Sequence, residues 1–205
     1  MAKKIGLGIA VAVVALVVFV SMQPATFAVE RSLTMQAPPD VAYGLVNDFH
    51  AWENWSPWAK LDPNMKTSYE GPASGEGASY SWEGSKEVGK GRMTITGQTP
   101  AKSVDIKLEF MAPFKATNHT LFTFAPTADG TNVTWRMDGT NSFASKALHI
   151  VVDMDKMVGK DFEKGLASMK TLAEAAAAKR QAEVVAMKPA AAEGAQPTAA
   201  AAAAK

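Results

Sequence analysis

Between Phe143 and about Ala178 the apolar residues recur at helical spacing. Leu148, Val151, Met154, Val158, Phe162, Leu166, Met169, Leu172 and Ala176 are separated by threes and fours throughout. Lys146, Asp153, Lys156, Lys160, Glu163, Lys164 and Lys170 fall between them, on the other side. This spacing predicts one long helix with a wet face and an apolar face that another element must cover. The rest of the chain has to supply the cover.

The stretch from Thr67 to Thr140 has the right period to do so. Apolar residues alternate with polar ones in short runs divided by Gly and Pro, which predicts strands at 67–70, 78–83, 89–97, 102–110, 117–125 and 131–140. The clearest is 102–110, where Val104, Ile106, Leu108 and Phe110 alternate with Ser103, Asp105, Lys107 and Glu109. Tyr80 and Trp82 share a face, as do Met93 and Ile95, Phe122 and Phe124, and Val133, Trp135 and Met137. The connections are short, so neighbours pair antiparallel. Gly75-Glu76-Gly77 and Gly89-Lys90-Gly91 read as turns and bulges, since neither lies between a strand and a following helix as a phosphate-cradling loop would. Upstream, residues 27–35 alternate as a further strand, and Pro38-Pro39 opens a short helix over 40–47. A dense aromatic patch follows, with Trp52, Trp55 and Trp58 on a loop expected to move. The sum is an α+β fold: a curved antiparallel sheet whose one apolar, concave face wraps a long C-terminal helix.

Before all this, Ile5 to Met22 runs without a charge, 18 residues that as a helix would span roughly 27 Å, close to a bilayer's hydrocarbon thickness. Two readings compete. In the first, the run is an uncleaved signal anchor, and Lys3 and Lys4 ahead of it keep the N-terminus in the cytoplasm and send the domain across. In the second, it is a signal peptide cut near the weak site Thr26-Phe27-Ala28, and the domain is secreted. The length of the run favours the anchor. The organisation read from the sequence is therefore lysines and span at 1–24, one folded domain at 27–178, and an Ala- and Pro-rich low-complexity tail at 179–205 without a core of its own, part of which alanine's helix propensity allows to be frayed helix.

Composition narrows the function classes. A formal net charge of +1 gives no field to attract nucleic acid. With no cysteine, disulfides, thiolate catalysis and Cys-based metal sites are excluded together. His50, His119 and His149 are scattered, and no nucleophile or zinc motif accompanies them. We expect no catalytic residue, metal or cofactor. His119 is placed on the outer face of its strand, and Asn118 on the inner one.

The order of elements resembles the helix-grip fold of the START and birch-pollen-allergen superfamily, also called SRPBCC or polyketide cyclase/dehydrase-like. Val29-Glu30-Arg31-Ser32, Trp55-Ser56-Pro57-Trp58, Tyr80-Ser81-Trp82-Glu83-Gly84, Gly89-Lys90-Gly91 and the run Asp155 to Leu166 are similar to a bacterial branch whose members often begin with a membrane segment. The resemblance covers roughly Ala28 to Glu174. It implies a cavity between sheet and long helix that holds a lipid or another apolar small molecule. By the faces assigned above, that cavity would be lined by Trp55, Trp58, Tyr80, Trp82, Met93, Leu108, Phe110, Phe124, Trp135, Met137, Met154, Val158 and Phe162. It would lie on the periplasmic side of the inner membrane. Two rival functions remain within the same superfamily. One is a cyclase- or dehydratase-like enzyme, which needs a cavity group with a shifted pKa. The other is a chaperone-activator-like interaction module, which needs a filled interior and an exposed apolar patch.

Overall fold

Short-range pairing builds most of the molecule. In the computed structural model, which describes residues 2–187, six consecutive strands run β2 (Lys66–Glu70), β3 (Ser79–Glu83), β4 (Lys90–Thr99), β5 (Ser103–Ala112), β6 (Ala116–Thr127) and β7 (Gly130–Thr140). Each pairs antiparallel with the next, and β1 (Thr26–Met35) adds on beyond β7, so the order across the seven-stranded sheet is β1-β7-β6-β5-β4-β3-β2. Gly75, Gly77, Gly89 and Gly130 turn the chain at positive φ, where a Cβ would be strained. A Cβ on Gly130 would also lie 2.1 Å from the Met35 carbonyl oxygen. The strands expected from alternation are all present, within a few residues at either end.

The register sorts the concave face into rows that cross the sheet. Phe124, Val133 and Leu33 form one; Phe122, Trp135 and Arg31 the next, with Val104 beside Phe122. Ile95, Ile106, Thr120, Met137 and Val29 form a third. Tyr69, Tyr80, Met93, Leu108, Asn118, Gly139 and Phe27 form a fourth, and Trp82, Gly91 and Phe110 the last. The first three rows are almost wholly buried, whereas the last two are mostly half-buried. The sheet therefore has one sealed end and one partly open end.

Two helical layers do the sealing. α2 (Pro39–Asn47) follows β1 and lies at the far end, its Tyr43 edge-on to Phe124 with ring centroids 5.8 Å apart. A 3-10 turn at Phe49–Asn54, which the aromatic patch did not announce as helical, tucks Phe49 and Trp52 beneath it. The long helix α4 (Met154–Met187) runs alongside β1 in the same direction and packs chiefly on β1, then on α2, touching β7 only lightly. Polar pairs follow that course: Arg31 with Asp155 and Glu163, Lys170 with the Thr34 carbonyl, and Glu174 with the Gln36 amide. Its buried line is Gly159, Phe162, Gly165, Leu166, Met169 and Ala173.

The helix differs from its expected extent at both ends. The stripe from Phe143 is not continuous: α3 (Phe143–His149) stops, and α4 starts afresh at Met154. Leu148 and Val151 consequently lie outside the covered stripe, with Val151 80% exposed. The cause is local. Ile150-Val151-Val152 is a β-branched run, poor in helix, and Asp153 caps α4 by accepting from the Lys156 amide at 3.0 Å. At the other end α4 continues to Met187, nine residues past the tail boundary at 178; the remainder of the tail lies outside the described residues.

Ahead of the domain, α1 (Ala2–Ser21) is apolar almost all round, and its exposed positions include Ile5, Leu7, Val14 and Phe19. It is long and apolar enough to cross a membrane. Val20, at its end, is 3% exposed, and Lys146 of α3 donates to the Ser21 carbonyl at 3.1 Å.

Candidate ligand site on the concave face of the sheet

The thirteen residues expected to line a cavity separate into two tiers. Trp55, Phe124, Trp135, Met137 and Phe162 are buried; Trp58, Tyr80, Trp82, Met93, Leu108, Phe110, Met154 and Val158 are half-buried. The first group belongs to a closed aromatic core. Trp135 stacks on Phe162 of α4 with ring centroids 3.9 Å apart and planes 8° from parallel, and its other neighbours are Phe122 at 4.9 Å and Trp55 at 5.6 Å. Gly165 allows this closeness, because a Cβ there would sit 2.9 Å from the Trp135 ring. The space expected between Trp135 and α4 is thus filled by the two rings themselves.

Trp52 and Trp55 also belong to this core, not to a loop at a cavity mouth. Their indole N–H groups donate to the Val46 and Leu45 carbonyls at the end of α2, at 2.9 and 2.8 Å. A buried ring removes about 150–250 Å² from water, roughly 4–6 kcal/mol gross at about 25 cal/mol per Å². Anchoring by α2 and that burial hold both rings in. Trp58 alone of the three is half-buried, edge-on to Trp135 and Phe162. The Trp135 indole N–H, by contrast, has no acceptor among the described residues.

The second tier is open. Tyr80 and Trp82 stack along β3 at 6.1 Å, Phe110 meets Trp82 edge-on at 5.9 Å, and Met93 and Leu108 continue the Tyr80 row across β4 and β5. Gly91 makes room for the Trp82 ring, since a Cβ there would fall 2.4 Å from it. The Trp82 indole donates to the Val88 carbonyl at 3.0 Å, which fixes the ring on the floor of this trough. α4 rests on the β1 and β7 side and leaves these strands uncovered by its buried line. Met154 and Val158, from the first turns of α4, are half-buried, and Val158 packs against the closed core.

Besides the exposed Tyr69 on the edge strand, two polar groups lie in the open rows. Asn118 is 8% exposed and donates to the Met137 sulfur at 3.7 Å, with Gly139 leaving space for its carbonyl oxygen. The Tyr80 phenol is pushed up to about 12, first by burial and then by the neighbouring Tyr69 and Glu53. Neither group changes charge near neutral pH. On the outer face, His119 stands between Asp105 and Asp138, at 3.1 and 3.5 Å, as its outward placement requires. An open cleft of about 600 Å³ is lined by His119 itself with Lys107, Thr117, Arg136 and Asp138 of the outer face; it reaches Phe27, Asn118 and Gly139 at the strand ends but none of Tyr80, Trp82, Met93, Leu108 and Phe110. A second, of about 300 Å³, follows the edge of the sheet past Lys66, Ser81 and Arg92. Among the described residues no cluster of His, Cys, Asp and Glu suits a metal ion.

Sequence reasoning missed Arg31 as a structural anchor. It lies on the concave face yet pairs with Asp155 and Glu163 of α4, and Gly159 gives way to it, a Cβ there meeting the guanidinium at 2.0 Å. A charge at an inward position of an alternating strand is the signal that could have found it.

Comparison with known proteins agrees with this architecture. No curated protein sequence matches the chain. Among solved structures, the fold is similar to that of SA2116 from Staphylococcus aureus, a protein of unknown function (11% identity, 76% of this chain and 98% of that one, TM-score 0.57). It is similar also to CV1439 from Chromobacterium violaceum (15% identity, 74% and 99%, TM-score 0.51). A third is the di-domain ARO/CYC StfQ from the steffimycin biosynthetic pathway (17% identity, 77% of this chain and 52% of that one, TM-score 0.55). At these identities the likeness is one of fold. The model of one family, described as polyketide cyclase / dehydrase and lipid transport, matches residues 26–174. Those residues hold the whole sheet, both covering layers and every residue of the trough, and the chain belongs to that polyketide cyclase / dehydrase and lipid transport family.

Proposed function

We propose that the chain is a membrane-anchored binding domain that holds an apolar small molecule or lipid in the open trough and releases it unchanged. Domains of this family typically bind hydrophobic ligands. The observation that carries the reading here is the half-buried set Tyr80, Trp82, Met93, Leu108 and Phe110 from the last two rows, an apolar surface that the fold's own helix leaves uncovered. A guest laid along it would meet these rings and aliphatic side chains on one side and lie open on the other. Entry to the closed tier is disfavoured: separating Trp135 from Phe162 forfeits about 0.5–1.5 kcal/mol of ring contact beyond re-exposed area.

The absence of turnover is supported by the trough's own chemistry. General acid or base work needs a pKa near the working pH. Tyr80 is shifted away from it, and Asn118 does not titrate. The anchor gives binding a context, because a domain held at the bilayer meets apolar guests at high effective concentration. An interaction module is the second reading, favoured by the filled centre at Trp135 and Phe162.

Native mass spectrometry of the chain purified gently from its own source, followed by lipid extraction, separates the two. A stoichiometric apolar mass, lost on Trp82→Ala or Leu108→Asp substitution, is the expected result. A chain that stays empty, even after envelope lipids are added, would sink the carrier reading.

A further inference from the structure

The strands have two ends, and register tells which is which. Thr26 of β1, Thr140 of β7, the β5–β6 hairpin and the β3–β4 turn all lie at the end from which α1 leaves the domain. The opposite end holds α2, the β4–β5 turn and the β6–β7 turn at Ala128-Asp129. Apart from Val184, Val185 and Met187 on the last turns of α4, large exposed apolar side chains gather at the α1 end. Phe114, at the hairpin tip, is 79% exposed with Met111 beside it. Leu148, Ile150 and Val151 project from the end of α3 and the link to α4.

α3 and the residues leading into it are held at this end by polar and aromatic contacts to the α1 to β1 junction. Asn141 donates to the Pro24 carbonyl at 3.1 Å, Lys146 reaches the Ser21 carbonyl, and His149 meets Phe27 edge-on at 6.0 Å. Phe114 and Val151 are therefore carried on two separate elements fixed around the point where an apolar span ends. Water is a poor neighbour for such a patch, and single scattered apolar residues would not gather at one end of the domain. Lys115 stands next to Phe114, as an amphipathic side chain that can keep its ammonium among headgroups while its stem lies along acyl chains. The open rows of the trough face the same end by register.

We propose that this end of the domain is a second membrane contact: the β5–β6 hairpin tip and the α3 to α4 link dip into the lipid surface, tilting the trough's open end toward the bilayer. The proposal rests on reading α1 as a membrane anchor, and its occupant is the lipid bilayer itself, because the patch lies at the end of the domain from which the span leaves and α3 is bonded to that span's last residue.

A chain without cysteine allows a clean test. Single variants Phe114→Cys, Val151→Cys and, at the opposite end, Asp129→Cys are made in the full chain. Each carries a nitroxide and is reconstituted in vesicles of phosphatidylcholine with phosphatidylglycerol. Accessibility to oxygen, which concentrates in lipid, is compared with accessibility to a polar nickel complex. The expected result is oxygen access exceeding nickel access several-fold at positions 114 and 151, with the order reversed at 129. If the vesicles carry the protein on flotation but 114 and 151 read as watery as 129, the second contact is wrong and the anchor stands. If the protein does not float with the vesicles, both fail together. Leu148→Cys gives an independent reading on α3, and a watery label there together with one at 151 overturns the proposal for that element.

Discussion

At Gly165 α4 lies against the Trp135 ring, which occupies the space a side chain there would need. Substituting Gly165→Leu forces either the ring or the helix to move, at a cost of about 1–3 kcal/mol for overpacking a filled core. Urea unfolding should show a lower midpoint with an unchanged slope. Tyr80 makes a different kind of prediction. Its folded pKa of about 12 exceeds the ordinary 10.0, so the folded state keeps its proton after the unfolded chain has lost it. Its contribution is complete below pH 10 and is lost as pH rises through about 12. Tyr80→Phe should flatten that alkaline decline, followed by circular dichroism between pH 9 and 12. An unchanged slope would mean that the phenol is solvated and the open tier wetter than described. Sequence could not have ranked these residues: alternation put Tyr80, Trp82 and Trp135 on one face correctly, yet it does not say how closely a helix approaches. A glycine on the helix decides that.

At the scale of elements, the break between α3 and α4 and the pairing of α4 with β1 carry the predictions. Asp153→Ala removes the cap on the first turn of α4, a loss of about 0.5–2 kcal/mol, and hydrogen exchange should quicken in the residues just after Asp153 before it does around Met169. The Arg31 bridge responds to acid. Asp155 is held below its ordinary 3.8, first by the hydrogen bond from Arg31 and also by its charge. Stability from this carboxylate is present above pH 3.8 and disappears as pH falls further. Asp155→Asn should therefore lower the unfolding midpoint at pH 7 and leave it little changed near pH 2. The sheet was legible because every strand is a short local alternation pairing with its sequence neighbour. The helix was legible as a stripe but not in extent, because threes and fours run on across Ile150 to Asp153 while β-branching and a capping carboxylate stop the hydrogen bonds. Both signals were in the sequence, and the longer periodicity masked them.

At the scale of the whole molecule, one sheet carries two unlike surfaces under a single helix. The sealed end does the work of stability, with Trp52, Trp55, Phe122, Trp135 and Phe162 closing on one another. The end nearest α1 keeps apolar rows half-covered. Which expected lining residues would fall in which tier could not be read from one strand at a time, since it depends on where α4 lies across the strands, and that is set by Arg31, Gly159 and Gly165 together. The five tryptophans report on both tiers at once, three in the closed core and Trp58 and Trp82 at the open one. The most direct test is an NMR titration of the five indole N–H resonances with apolar lipid extracted from the source envelope. The Trp58 and Trp82 resonances are expected to shift in a saturable way while Trp52, Trp55 and Trp135 hold still. No saturable shift at Trp82, or a shift confined to Trp135, would contradict a guest held in the open trough.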